Sequence, residues 1–461
     1  MKRVGDYFND IFSTYGINMK KVLLVVPDNE SYIHYFPLGL AYIASILRNA
    51  GHNVSIYSQD LNHWNEEHLT KIIEKHNFDI VATGSVAGYY PYKKLLKISK
   101  AINDCSNRNK FKYIIGGHMV SAAPDYFLYV MGADNIIVGE GENSILKALE
   151  GGYGVIQNEP TKDLDSLPLP AYDLFPMWYY RLQRMPNIRA MDFSASIISG
   201  RGCHFNCTFC YRMTKGIRLR SIQSIIDEIS FLKKEYKINY IDFADDLTMA
   251  SKQRAIELSE ALLPLKIKWR CEGRLNFVDK DVLEIMKKSG CVFINYGIEA
   301  LDDNVLCLMK KALCVEQIIR GVETTLDVGI SPGLNVIFGN IGDTIETLNK
   351  GVDFLLKYDD GAQLRTIRPV TPYPGCELFD EAIKRGLVKD VEDFYENKHL
   401  NSDLLTCNFT ELNDDEFYKA LYDANLQLIM NYNKKQKEGN INQLNKLYIN
   451  KDVSFRGYRH T

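Results

Sequence analysis

Residues 193–212 read FSASIISGRGCHFNCTFCYR, a short β-rich run that leads straight into Cys203, Cys207 and Cys210. Three thiols within eight positions stand out in a chain of 461 residues with ten cysteines. They admit three readings: a structural staple, a zinc clip, or a cluster that does chemistry. A structural zinc takes four ligands, usually as two local pairs, and no second CxxC or nearby CxxxH completes such a set here. His204, between the first two cysteines, reads as a loop residue. Cys105, Cys271, Cys291, Cys307, Cys314, Cys376 and Cys407 lack CxxC spacing and read as core or surface thiols in a reducing compartment. Thiolates are the usual ligands of iron–sulfur clusters, and three of them leave one iron open for chemistry.

The β-rich run is the first of a series. Downstream, NYIDFADD, IKWRCEG, VFINYGIEA, SPGLNVIFG and GAQLRTIRPV read as further strands, with helical periodicity between them as in SIIDEISFLKKEY. Six strands, each followed by a helix, predict a partial or closed parallel (β/α)6 barrel whose functional groups cluster at the carboxyl ends of the strands. The cysteines sit at the first such end.

Upstream, KKVLLVV, NVSIYS, FDIVATGS, KYIIGG and ADNIIVGEGE alternate with helical stretches such as LGLAYIASILRNAG. This predicts a doubly wound, Rossmann-like parallel sheet that presents PDNE, GSVAG, GGHMVS and GEGEN at its strand ends, so the whole chain is α/β. Between the two units, PTKDLDSLPLPAYDLFP is too rich in Leu, Tyr and Phe for a flexible linker and predicts an extended, packed one. The expected divisions are 1–157, the linker 158–192, 193–395, and a small mainly helical region with a basic, solvated tail at 396–461.

Composition adds exclusions. A hydrophobic content of 46% with 25% charged residues is ordinary for a globular chain, and a net charge of -3 gives no general attraction to nucleic acid or anionic membrane. No apolar run reaches the ~18 residues of a membrane span, and charges interrupt MKRVGDYFNDIFSTYG where a signal peptide has its apolar stretch. The expectation is a cytoplasmic protein with no membrane span and no nucleic-acid partner.

The Cys-x3-Cys-x2-Cys loop, with Phe209 just before the third cysteine, resembles that of the radical S-adenosylmethionine (SAM) enzymes. IDFADDLTMA, WRCEGRLN, YGIEALDDNVLCLMKK and TPYPGCELFDEAIKRGL match their later barrel segments. The resemblance implies that Cys203, Cys207 and Cys210 hold a [4Fe-4S] cluster whose fourth iron is chelated by SAM. It further implies that Asp245 or Asp246 accepts from the SAM amino group, Arg274 pairs with its carboxylate, Glu299 bonds the ribose, and Phe209 and Tyr211 lie beside the adenine. FGNIGDTIE departs from the usual Gly-x-Pro-Gly-Glu-Thr, so no contacts are carried over to 340–344.

The N-terminal unit, with PLGLAYIASILRNAGH, IIGGHMVSAAPD and GEGE, is similar to the cobalamin-binding domain of one group of these enzymes. Candidate cobalamin contacts are Ser85, Gly116, Gly117 and Glu140, and the Asp-x-His-x-x-Gly motif of other cobalamin proteins is absent. The resemblance implies a 5'-deoxyadenosyl radical that functionalises an unactivated carbon, by methyl transfer through methylcobalamin, with cyclisation or ring rearrangement as the alternative. It also implies a small-molecule, lipid or peptide substrate and an electron donor such as flavodoxin or ferredoxin. A methylthiotransferase fits worse, because only Cys105 precedes Cys203.

Overall fold

In the computed structural model residues 19–28, 35–189 and 191–455 are described. The last two residues of PDNE, residues 1–18 with the stretch MKRVGDYFNDIFSTYG read for a signal peptide, and the final tail residues 456–461 lie outside them. Two six-stranded sheets, both wholly parallel, organise the chain.

The first sheet contains β1 (Lys21–Val26), β2 (Asn53–Ser58), β3 (Ile80–Ser85), β4 (Lys112–Gly117), β5 (Asn135–Val138) and β6 (Gly154–Gln157), in the order β2-β1-β3-β4-β5-β6. The connections reverse direction between β1 and β3, which opens a crevice at the carboxyl edge, the usual ligand position in this topology. β6 is an addition to the five strands read from sequence. Its four residues lie among glycines and alternate between half-buried and exposed, too weak a pattern to stand out.

The second sheet runs β7 (Ser194–Ile197), β10 (Tyr240–Phe243), β11 (Lys268–Gly273), β12 (Cys291–Glu299), β13 (Ser331–Phe338) and β14 (Arg368–Pro369), each paired with the next. It does not close, so the unit is a half-barrel. The helices between its strands start where the sequence supplies caps: Ser221, Ser251, Asp279 and Thr344 each accept an N–H of the first helical turn.

Two expectations are corrected. The cysteine loop does not continue β7. It is the tip of a separate antiparallel hairpin, β8 (Gly200–Cys203) and β9 (Gly216–Leu219). The sixth barrel strand is two residues long, because buried Arg365 is held by Asp359 and Asp360 and draws the preceding residues into a loop.

The linker is packed, as its composition predicts. Ala171, Tyr172, Phe175, Met177 and Tyr180 are buried in a core that runs without a break from β1 into the barrel. Phe36 stacks on Tyr172 at 5.1 Å, and the Tyr172 hydroxyl donates to buried Glu228 at 2.6 Å. After β14 the chain returns to the first sheet, where Phe379, Phe394, Tyr395 and Phe409 join a second core with Tyr92 and Phe127. The basic C-terminal segment begins inside a helix, Asp414–Leu444, capped by Asn413 and anchored by Phe417 stacked on Phe338 at 4.8 Å. Among the described residues no helix is long and apolar enough to cross a membrane.

Candidate active site

The carboxyl ends of both sheets open onto one cavity of about 890 Å³. The first sheet contributes Ser85, Gly116, Gly117 and Glu140; the half-barrel contributes Cys203, Cys207, Cys210, Tyr211, Asp246, Arg274 and Glu299. Phe209 and Asp245 do not line it, nor do the aromatics Tyr89, Tyr90, Trp178, Tyr179 and Tyr180.

The three cysteines lie at the hairpin tip, where Thr208 fixes the loop by donating to Met309 O at 3.0 Å and accepting from Leu378 N at 2.9 Å. Among the described residues no three His, Cys, Asp or Glu side chains converge tightly enough for a single metal ion. Three thiols from one loop are nonetheless the donor type and number that an iron–sulfur cluster with one open iron takes. The surroundings favour thiolate at Cys207, while its hydrogen-bonded neighbour Cys210 is pushed up in turn. A hydrogen bond from Cys210, together with Lys311 and Arg274, pushes the Cys207 thiol well below its ordinary pKa despite burial. The Arg274 Nη1 lies 3.8 Å from Cys207 Sγ, its guanidinium sits 3.5 Å over the Phe205 ring, and its Nη2 donates to Lys311 O.

The two adjacent aspartates have different surroundings. Asp245 is buried and accepts from Ser199 N at 2.7 Å, Gly200 N at 3.2 Å and the Ser199 hydroxyl, tying the end of β7 to the end of β10. Burial outweighs these bonds and raises its pKa to about 6. Asp246 faces the cavity and accepts from Gly202 N at 2.9 Å. Glu299 ends β12 with a left-handed φ of 70°, a strained conformation for a residue with a side chain. Its carboxylate meets buried Lys311 at 2.8 Å. A Cβ at Gly297 would lie 2.4 Å from Glu299 Oε1, so only glycine leaves room for this ion pair. Phe209 packs between the two cores with Lys311 Nζ 5.8 Å above its ring, and Tyr211 meets His118 edge-on at 4.7 Å.

On the opposite wall the ends of β3 and β4 touch backbone to backbone. A Cβ at Gly117, whose φ is 107°, would sit 2.3 Å from Ser85 O. Ser85 Oγ donates to Gly116 O at 3.0 Å and accepts from Val120 N. At Gly39 and Gly139, also in the lining, a side chain would project into open space. The result is a floor of backbone that side chains would fill, fit for a large planar ligand held mainly by packing.

Glu140 lines the cavity, but its carboxylate is taken up by protein cations. Arg218 grips it with both terminal nitrogens, Nη1 at 3.1 Å, while Arg201 Nη1 lies at 3.3 Å and Thr161 N donates at 3.0 Å. Arg201 also pairs with Glu142 at 2.6 Å. Burial works against ionisation of Glu140, yet Arg218 and Arg201 hold its pKa below the usual range. The two arginines are directly opposite each other in the β8–β9 hairpin. Like charges in that position repel, so the hairpin carrying the cysteines depends on carboxylates from the other sheet.

Sequence reasoning missed Lys311, Phe205, the pair Arg201 and Arg218, and a polar row at the inner face of the half-barrel, Glu272, Asn295 and Asn335. For Lys311 a signal existed, since it lies in the matched YGIEALDDNVLCLMKK. The arginine pairing is visible only once the hairpin register is known.

A family model described as the radical SAM superfamily matches residues 197–355, and one described as the B12 binding domain matches residues 29–149. An uncharacterized methyltransferase of Pyrococcus horikoshii is 32% identical over 406 residues, covering 81% of this chain and 85% of that protein. The chain belongs to the cobalamin-binding radical SAM enzymes. Also similar in sequence is the anaerobic magnesium-protoporphyrin IX monomethyl ester cyclase of Rubrivivax gelatinosus, 24% identical, covering 78% of this chain and 68% of that one. The fold is shared with the radical SAM methyltransferase TsrM from Kitasatospora setae, solved with cobalamin and a [4Fe-4S] cluster. That likeness has a TM-score of 0.63 at 16% identity and covers 80% of this chain and 78% of the other. The cofactors of this enzyme are a [4Fe-4S] cluster, SAM and cobalamin, and the thiol loop with its cations and the backbone floor opposite fit them.

Proposed function

We propose that this enzyme methylates an unactivated carbon of a small molecule inside the shared cavity. The observation that carries the reading is that the three cysteines and the glycine-lined floor belong to walls of one chamber. When bound, the cluster supplies the electron that cleaves SAM to a 5'-deoxyadenosyl radical, and cobalamin supplies the methyl group.

The chain's own residues bind, orient and exclude. Cys203, Cys207 and Cys210 hold the cluster. Asp246 is placed to take the SAM amino group; Asp245, already saturated by Ser199 and Gly200, secures the strand ends beneath it. Arg274 orients the SAM carboxylate, Glu299 the ribose and Tyr211 the adenine, with Lys311 keeping Glu299 in place. Ser85, Gly116 and Gly117 form the cobalamin seat, and Glu140 fixes the cluster hairpin against it. The electron comes from a small carrier such as flavodoxin or ferredoxin, and the free thiols suit a reducing cytoplasmic setting.

The test is anaerobic reconstitution with iron, sulfide, hydroxocobalamin and a reductant, followed by product analysis with SAM. Methyl transfer requires 5'-deoxyadenosine and S-adenosylhomocysteine together. Deoxyadenosine alone would favour the second reading, radical cyclisation, which the similarity to the Rubrivivax gelatinosus cyclase motivates. Absence of both products from a fully loaded enzyme overturns the proposal.

A further inference from the structure

A row of polar side chains crosses the inner face of the half-barrel, and the cofactor contacts proposed above use none of it. Ser196 on β7 donates to Asp242 on β10 at 2.8 Å, and Arg270 on β11 donates to the other oxygen of Asp242. Arg270 Nη2 also pairs with Glu272 Oε1 at 3.4 Å. Asn295 on β12 donates to Glu272 Oε2 at 2.8 Å and accepts from Asn335 on β13 at 3.2 Å. Glu272, Asn295 and Asn335 all line the cavity, and Tyr35 lines it near the same charges from the side of the first sheet.

The charges do not balance. One guanidinium serves two carboxylates and makes its hydrogen bond to Asp242, leaving Glu272 with one amide donor and a longer ion pair. An ionised carboxylate has about four acceptor positions, so Glu272 keeps unused ones at the cavity wall. Burial accordingly pushes its pKa up to about 7, against the pull of Arg270 and Asn295. A half-buried carboxylate short of donors in a reaction chamber is a recognition group waiting for one. The row is also rigid, because its members stand on five neighbouring parallel strands.

We infer that Glu272, held by Asn295 and Asn335, is the substrate-recognition pole of the chamber and takes a hydrogen-bond-donating group, an ammonium or hydroxyl, in preference to a carboxylate or phosphate. This rests on the reading of the cavity as the reaction chamber. Asn295 is a positioning residue: it points its amide at Glu272 and transmits the orientation of Asn335. A donor seated on Glu272 would meet about the same net gain as other hydrogen bonds to charged groups, roughly tenfold or more in affinity.

The test uses the reconstituted holoenzyme and four probes of matched size: 4-phenylbutylamine, 4-phenylbutan-1-ol, 4-phenylbutyrate and butylbenzene. Binding is measured by equilibrium dialysis at pH 8.5, where Glu272 is ionised. The amine and alcohol are expected to bind about tenfold tighter than the carboxylate. Glu272→Gln should abolish the amine preference while leaving butylbenzene unchanged. Asn335→Ala, at an exposed position, removes the donor to Asn295 Oδ1 and should weaken the amine preference without abolishing it. Equal binding of amine and carboxylate, no amine binding, or an amine preference retained in full by Glu272→Gln overturns the inference. Deoxyadenosine and S-adenosylhomocysteine formation in the same preparation reports separately on the proposed function.

Discussion

Arg218→Met removes the bidentate grip on Glu140 and with it one of two arginine links from the cysteine hairpin to the first sheet. The pair is well buried, with side-chain exposures of 18% and 8%. Removing one partner of a buried ion pair costs ~3–5 kcal/mol because a charge is left unpaired. Glu140 retains Arg201 at 3.3 Å and the Thr161 N–H at 3.0 Å, which keeps the cost at the low end. Relief of the Arg201–Arg218 opposition returns ~0.2–1 kcal/mol. The net is about 2 kcal/mol, a factor of roughly thirty in favour of the undocked hairpin. Iron and sulfide should then be lost to an external chelator roughly thirty times faster than from the parent enzyme, scaling with the opening equilibrium. Arg218→Lys, which keeps the charge but loses the fork, should fall between. On the proposed reading, in which Glu140 is committed to the hairpin, hydroxocobalamin affinity should stay within about threefold. Unchanged iron retention with a large loss of cobalamin affinity would refute this and restore Glu140 as a cobalamin contact.

Replacing Cys203, Cys207 and Cys210 by Ala should abolish iron uptake and deoxyadenosine formation while the far-ultraviolet circular dichroism is unchanged. Gly117→Ala should destabilise the fold by ~1–3 kcal/mol in urea titrations, since the added carbon meets Ser85 O at 2.3 Å in a left-handed conformation. Lys311→Met leaves Glu299 buried and unpaired; a loss of ~3 kcal/mol in stability and weaker SAM binding by calorimetry are expected. Glu272 goes from its ordinary 4.5 to about 7. The folded state therefore binds the proton more tightly, and stability from this group is present below pH ~4.5 and lost as pH rises through ~7. Up to ~3 kcal/mol is at stake, and the pH slope of the urea midpoint in that window should shrink in Glu272→Gln. Asp242, Arg270, Asn295 and Asp245 surround the group and stay in place in that comparison.

The parallel sheets were legible because strands such as β1, β4 and β5 are short apolar runs followed by small residues or turns and set between helical stretches, a pattern that burial on both faces favours. β6 and the residues around Arg365 were not, for opposite reasons: the first is too short and half-exposed, the second apolar enough to read as strand but captured by Asp359 and Asp360. In the site, residues fixed by local spacing were readable. The three cysteines share one loop, and Asp245 with Asp246, Arg274 and Glu299 lie at strand ends. The split between the two aspartates was not, since it depends on which carboxylate turns toward Ser199. The arginine pair and the polar row are defined by register across strands, and adjacency of that kind leaves no periodic trace along the chain.

The half-barrel stops at β14 without meeting β7, so one side of its interior has no wall of its own. The first sheet supplies that wall, through segments such as Tyr35 to Ile43 and Ser85 to Val86. Radical generation is thereby housed on one unit, and much of the room in which a guest molecule sits on another. Sequence drift in the loops of the first unit can reshape that room without touching the thiol hairpin, provided Glu140 and Glu142 remain to hold it. A fold divided in this way can change its clientele while conserving its ignition.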